Sequence, residues 1–147
     1  MSKLNILLVA FFSLFLYERY YTGTFHKTYI DYQLTQHEEV VVMYGAEWCP
    51  GCKQVQPILE KLEEFGYIKL IHVDIDTGDY RFYGMLPTYI PQITVYRRYP
   101  AASGIVYHGQ FPNTLREFLT LFMGNELSDS KREELFLFAK TVYGDDK

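Results

Sequence analysis

The chain has 147 residues, 48% of them apolar and 18% aromatic, and a net charge of −4. That is enough apolar material for one packed domain and excludes a largely disordered chain. With an acidic balance and no basic cluster beyond Arg97-Arg98, the chain lacks the electrostatic footprint of a nucleic-acid binder.

The first segment is apolar. Asn5 to Tyr17 carries no charge, with Lys3 before it and Glu18-Arg19 after. Crossing the bilayer core takes about 20 residues, so this run is short for a span and closer to the apolar core of a secretion signal. Thr22-Gly23-Thr24 is the nearest small-residue pattern and a poor cleavage site. The expectation is a signal peptide or membrane anchor over 1–25, with membrane association through 4–21 and Tyr20 and Tyr21 at the interface. It places the protein outside the cytoplasm, in a bacterial periplasm or a secretory lumen. The alternative is a buried helix or strand of a cytoplasmic, soluble domain.

Residues 26–39 predict a short helix near Tyr29 to Gln36, leading into a domain over 26–124. Val40-Val41-Val42-Met43-Tyr44 is a continuous β-branched run, as in a central strand buried on both faces. From about Pro50 to Phe65, Val55, Ile58, Leu59 and Leu62 recur at helical spacing, and Gly66 stops the helix. Ile68 to Ile75 reads as a second strand, and Asp79 to Met85 as a short helix. Gln92 to Tyr96 and Gly104 to His108 read as a hairpin across Tyr99 to Ser103. Leu115, Phe118, Leu119 and Phe122 mark a helix that begins near Pro112-Asn113 and closes at Gly124. A helical tail over 125–147 starts at the capping box Ser130-x-x-Glu133, shows the stripe Leu135, Phe138, Ala139 and Val142, and stops at Gly144. The order β-α-β-α-β-β-α predicts an α/β fold with a central mixed sheet flanked by helices.

Both cysteines lie in one motif, Trp48-Cys49-Pro50-Gly51-Cys52-Lys53. So small a loop constrains the unfolded chain little, which makes the pair a reactive site and not a brace. It follows a strand and opens a helix. A helix N-terminus offers free N–H groups and partial positive charge, which stabilise a thiolate. Cys49 is therefore the expected attacking sulfur, with a lowered pKa. Cys52, one turn in and more buried, is the expected resolving thiol. Pro50 sits where its missing N–H costs little. A half zinc site is the competing reading. It would need two further ligands from His26, His37, His72 and His108, which form no close pair. A binding module that keeps the motif without using it is another alternative.

The run Tyr44 to Lys53 resembles the active-site segment of thioredoxins. Pro57 resembles the proline that kinks their active-site helix, and Gly84 a glycine of the helix that follows. Ile90-Pro91 resembles the Ile–cis-Pro that faces the cysteines, and Gly109 with Leu115 to Leu119 the last strand end and last helix. The resemblance covers about residues 38–124. It implies the thioredoxin fold and a thiol–disulfide oxidoreductase that exchanges disulfides with protein partners. It also implies a redox partner, reductase or oxidase, and no cofactor or metal. A cis Pro91 would turn the backbone of Ile90 outward to pair with a substrate strand beside Cys49. Trp48 would cover the dithiol from the solvent side.

Several positions depart from the family. Pro50-Gly51 reverses the usual thioredoxin order and is more like glutaredoxins and periplasmic disulfide oxidants, which opens the direction of electron flow. A glutaredoxin-like, glutathione-dependent activity is a further alternative, against which Trp48 argues. Gly45 replaces a tryptophan. Met43 stands where thioredoxins bury an acid, and His72 where they carry its neighbouring lysine. His72 is thus a candidate proton relay for Cys52, with a satisfied core histidine as the alternative. Met85 to Tyr89 lengthens the loop before Pro91 by about two residues and should border the substrate groove.

Overall fold

The computed structural model of the chain describes residues 2–77, 87–98, 104–123 and 127–144, with 17–28 described at the level of the backbone. Its elements are α1 (Lys3–Gln36), β1 (Glu39–Gly45), α2 (Pro50–Glu64), β2 (Lys69–Asp74), β3 (Gln92–Arg97), β4 (Ile105–Gly109), α3 (Leu115–Phe122) and α4 (Asp129–Tyr143). The sheet order is β2-β1-β3-β4. β1 runs parallel to β2 and antiparallel to β3, and β3 is antiparallel to β4. This is the expected mixed sheet. The expected helix over Asp79 to Met85, Gly84 within it, and the hairpin turn lie outside the described residues.

β1 is the centre of the molecule, and all seven of its residues are buried. Its alternation sends Val41 and Met43 into a core with Leu59, Leu62, Phe118 and Leu135. Val40, Val42 and Tyr44 go to the other face, against Ile30, Ile71, Val73 and Tyr96. A strand between two neighbours and two covered faces has no place for polar side chains along its middle, which is why the run is unbroken Val.

α2 places Val55, Leu59 and Leu62 on the first core. Gly66 follows at φ +83°, a conformation that suits glycine at a helix end. Pro57 lies inside this helix.

Two expectations about helices need correction. The short helix expected near Tyr29 to Gln36 is not separate: one helix runs from Lys3 to Gln36, and the expected boundary at residue 25 falls inside it. The reason is local. Thr22-Gly23-Thr24 contains no proline, and one glycine costs a helix only about 1 kcal/mol. The C-terminal end of α1 docks on the sheet through buried Ile30. Arg98 ties it down, its Nε donating to Leu34 O (2.7 Å).

The second correction concerns α4. Its cap is Ser128, not Ser130, with Ser128 Oγ accepting from the Lys131 N–H. Ser128 has the extended backbone a cap needs, and Ser130 already lies within the helix. Leu135 and Ala139 are fully buried in the same core as Phe118. Burying a leucine contributes roughly 1.5–3 kcal/mol, so α4 is part of the domain's core. Tyr143 Oη donates to Pro112 O (2.6 Å) at its far end.

Candidate active site

The site begins where β1 ends. Gly45 O accepts from the Ile75 N–H (3.0 Å), which joins the loops after β1 and β2. The chain turns at Ala46, whose carbonyl accepts from the Cys49 N–H (3.1 Å). Cys49 is then the N-cap of α2, with Pro50 in the first turn. Cys49 Sγ accepts from the Cys52 N–H at 3.2 Å, a helix-start donor aimed at the sulfur expected to carry charge. Cys49 and Cys52 are joined as a disulfide. Both are buried, at 4% and 2% exposure.

Pro91 is brought to this corner from the other side of the sheet. The Ile90–Pro91 peptide is cis. A Cβ on Gly51 would stand 3.1 Å from Pro91 Cδ, so the proline ring packs directly on the backbone between the two cysteines. Gly51 is what permits this approach, since a side chain there would push the ring away. Ile90 is half-buried and packs against both cores.

Trp48 is 64% exposed. Its indole N–H donates to Asp76 Oδ2 at 2.8 Å. Asp76 N–H in turn donates to Asp74 Oδ1 (2.8 Å), so the loop after β2 fixes the tryptophan. Lys53 and Glu47 are exposed on either side, and the geometry assigns neither a chemical role. Of the lengthened loop, Pro87, Thr88 and Tyr89 are described, with Tyr89 exposed; Met85 and Leu86 are not.

His72 pairs with Met43 across β1 and β2. The side chain is exposed and is not the core histidine that was the alternative. Even so, its ring borders the same space beside Gly45 as the sulfur does. A Cβ on Gly45 would stand 3.2 Å from Cys52 Sγ and 3.4 Å from His72 Nε2. The imidazole nitrogen and the sulfur are thus no farther apart than those two lengths laid end to end. Sequence reasoning noted Gly45 as a lost tryptophan and missed that the space left by its missing Cβ borders both groups. It also missed Asp76 as the partner of Trp48. Only the pairing of β1 with β2 reveals either.

Among the described residues no three His, Cys, Asp or Glu side chains converge as a metal site would require. His108 is engaged elsewhere, with Gln92 Nε2 and Thr94 Oγ1 both at 2.7 Å from its ring nitrogens. The arrangement that remains is a dithiol–disulfide pair at a helix start, faced by a proline and flanked by an exposed indole. Such an arrangement is chemically competent for thiol–disulfide exchange.

Comparison with known proteins agrees. The family model described as Thioredoxin matches residues 22–120, well over half of the chain. Thioredoxin-3 of Dictyostelium discoideum is 48% identical over 42 residues, covering 28% of this chain and 40% of that protein. Putative thioredoxin-4 of the same organism is 31% identical over 67 residues, covering 45% of this chain and 64% of that protein. The chain thus aligns with less than two thirds of either relative. Among solved structures, oxidised thioredoxin from Plasmodium falciparum is 25% identical, with a TM-score of 0.46 over 65% of this chain and 90% of that one.

Proposed function

Because the chain belongs to the thioredoxin family, we propose that it is a protein thiol–disulfide oxidoreductase. The observation that carries this reading is the Cys49–Cys52 disulfide at the start of α2, with Pro91 packed on Gly51 in the backbone between the two cysteines. In the reducing direction Cys49 attacks a substrate disulfide and Cys52 attacks the mixed disulfide, freeing the substrate as a dithiol. Trp48, Ile90 and Pro91 border the sulfurs and are the surface on which a substrate strand would lie. A partner reductase or oxidase closes the cycle, and the reduction potential of the pair decides which.

Insulin reduction with dithiothreitol tests this. Wild type accelerates precipitation of the insulin B chain, and Cys49→Ser falls to the uncatalysed rate. A wild type that fails to accelerate it and forms no mixed disulfide would leave a binding module instead.

Membrane association through 4–21 and export to a periplasm or secretory lumen belong to this proposal too. Their support is that Leu4 to Leu16 of α1 is apolar on every side and its side chains are exposed, as expected of a helix that meets lipid. Among the described residues no helix is long and apolar enough to cross a membrane, so the insertion proposed is partial. Sedimentation with anionic and neutral vesicles tests it, and a chain that stays in the supernatant with both refutes it.

A further inference from the structure

We infer that His72 is the residue that moves the proton of Cys52, and that Gly45 is what lets it do so. This rests on the oxidoreductase reading above and deepens it. The resolving step needs a base. Cys52 is 2% exposed, so its thiol has little direct access to solvent protons. Met43, which pairs with His72 across the two strands, is fully buried and cannot titrate. His72 Nε2 and Cys52 Sγ approach the same point, the place a Gly45 Cβ would fill. Because His72 is itself exposed, a proton taken from the buried thiol can leave to solvent from the same ring. A group that borders the same space as the sulfur and opens to water suits a relay.

The other charged groups around His72 are accounted for. On β2, Asp74 accepts from the Asp76 N–H, and Lys69 faces Glu63 (3.8 Å). On α2, Glu63 also accepts from the Leu70 N–H and Glu60 from Gln56, while Lys53 is exposed. In the flanking loops Asp76 accepts from Trp48 and Glu47 is exposed. β1 contributes Met43 and Gly45, neither titratable.

Cys49 thiolate attacks one sulfur of a substrate disulfide, forming a mixed disulfide and releasing one substrate thiolate. Cys52 S–H gives its proton to neutral His72 through a solvent molecule in the space beside Gly45. The Cys52 thiolate then attacks Cys49 Sγ, the mixed disulfide breaks, and the second substrate thiolate leaves. Two electrons pass from the dithiol to the substrate, and His72 releases its proton to water. In the oxidising direction protonated His72 returns the proton to Cys52 as it departs.

A symmetric aromatic disulfide, 5,5′-dithiobis(2-nitrobenzoate), separates the two steps in stopped flow. The first coloured thiolate appears at a rate proportional to reagent, from attack by Cys49. The second appears at a rate independent of reagent, from attack by Cys52. The second phase of wild type should show a pH inflection that the first phase lacks. In His72→Asn that inflection should vanish, and the phase should slow by about tenfold to a hundredfold at pH 7, the lower range for a lost general base. The first phase should be unchanged. Gly45→Ala places a methyl against both groups and should slow the second phase in the same way, by less. A second-phase profile in His72→Asn that superimposes on wild type overturns the inference, as does equal slowing of both phases. Persistence of the first phase in Cys49→Ser would instead sink the oxidoreductase reading itself.

Discussion

The two ends of β1 solve opposite problems. At Glu39 the strand ends in a buried ion pair, with Arg97 Nη2 at 2.9 Å and Nε at 3.0 Å from Glu39 Oε2. The same guanidinium donates to Leu121 O (2.8 Å), holding the end of α3. At Gly45 the strand ends beside two sulfurs, with an apolar Met43 behind them and an imidazole that opens to water. One end sets a mostly buried carboxyl against a matched cation. The other sets an uncharged side chain behind the sulfurs and the exposed His72 beside them. A structural polar site is closed, while a reactive one keeps an exit.

The comparison can be broken most severely from the closed end. Arg97→Met should strand the Glu39 carboxylate and leave the α3 carbonyl unbonded. Removing one partner of a buried pair costs about 3–5 kcal/mol. Urea unfolding should show that loss at pH 8 and a smaller one at pH 5, where Glu39 can take a proton. An equal loss at both pH values would mean the charge of Glu39 is not what Arg97 answers.

A smaller effect comes from Glu39 alone. Burial pushes its carboxyl up from 4.5 to about 7, with Arg97 opposing that rise. The folded protein thus holds this proton more tightly than the unfolded chain does. The resulting stability is full below about pH 4.5 and is lost as the pH rises through 7. Wild type should lose on the order of 1–3 kcal/mol between pH 5 and pH 8 from this group. Glu39→Gln should flatten that slope, as read by thermal unfolding across the range. A variant that keeps the full wild-type slope would assign it to other groups.

Much of this was legible in the sequence because it is local. The Val40 to Tyr44 run, the α2 spacing and the Gln92 to Tyr96 strand each carry their own pattern, and the structure places strands and helix there. The reactive pair announced itself by a two-residue gap at a helix start. What sequence did not show depends on partners far along the chain. The Glu39–Arg97 pair and the Gly45, Cys52 and His72 meeting arise only when β1 is set between β2 and β3. His72 alternates onto the sulfur face as expected, but its exposure could not be read from alternation, because β2 is the edge of the sheet. The α1 boundary was misread for the converse reason. Composition changes near residue 25, but nothing there stops a helix, and backbone hydrogen bonding continues across it.

The central claim is that Cys49 is the nucleophile because α2 begins at its sulfur. Alkylation of the reduced protein with iodoacetamide as a function of pH, with peptide mapping of the modified residue, tests it most directly. The account predicts that Cys49 is modified first, with an inflection below the ordinary thiol value of about 8.5. Modification of Cys52 first, or an inflection of Cys49 at or above that value, would contradict it.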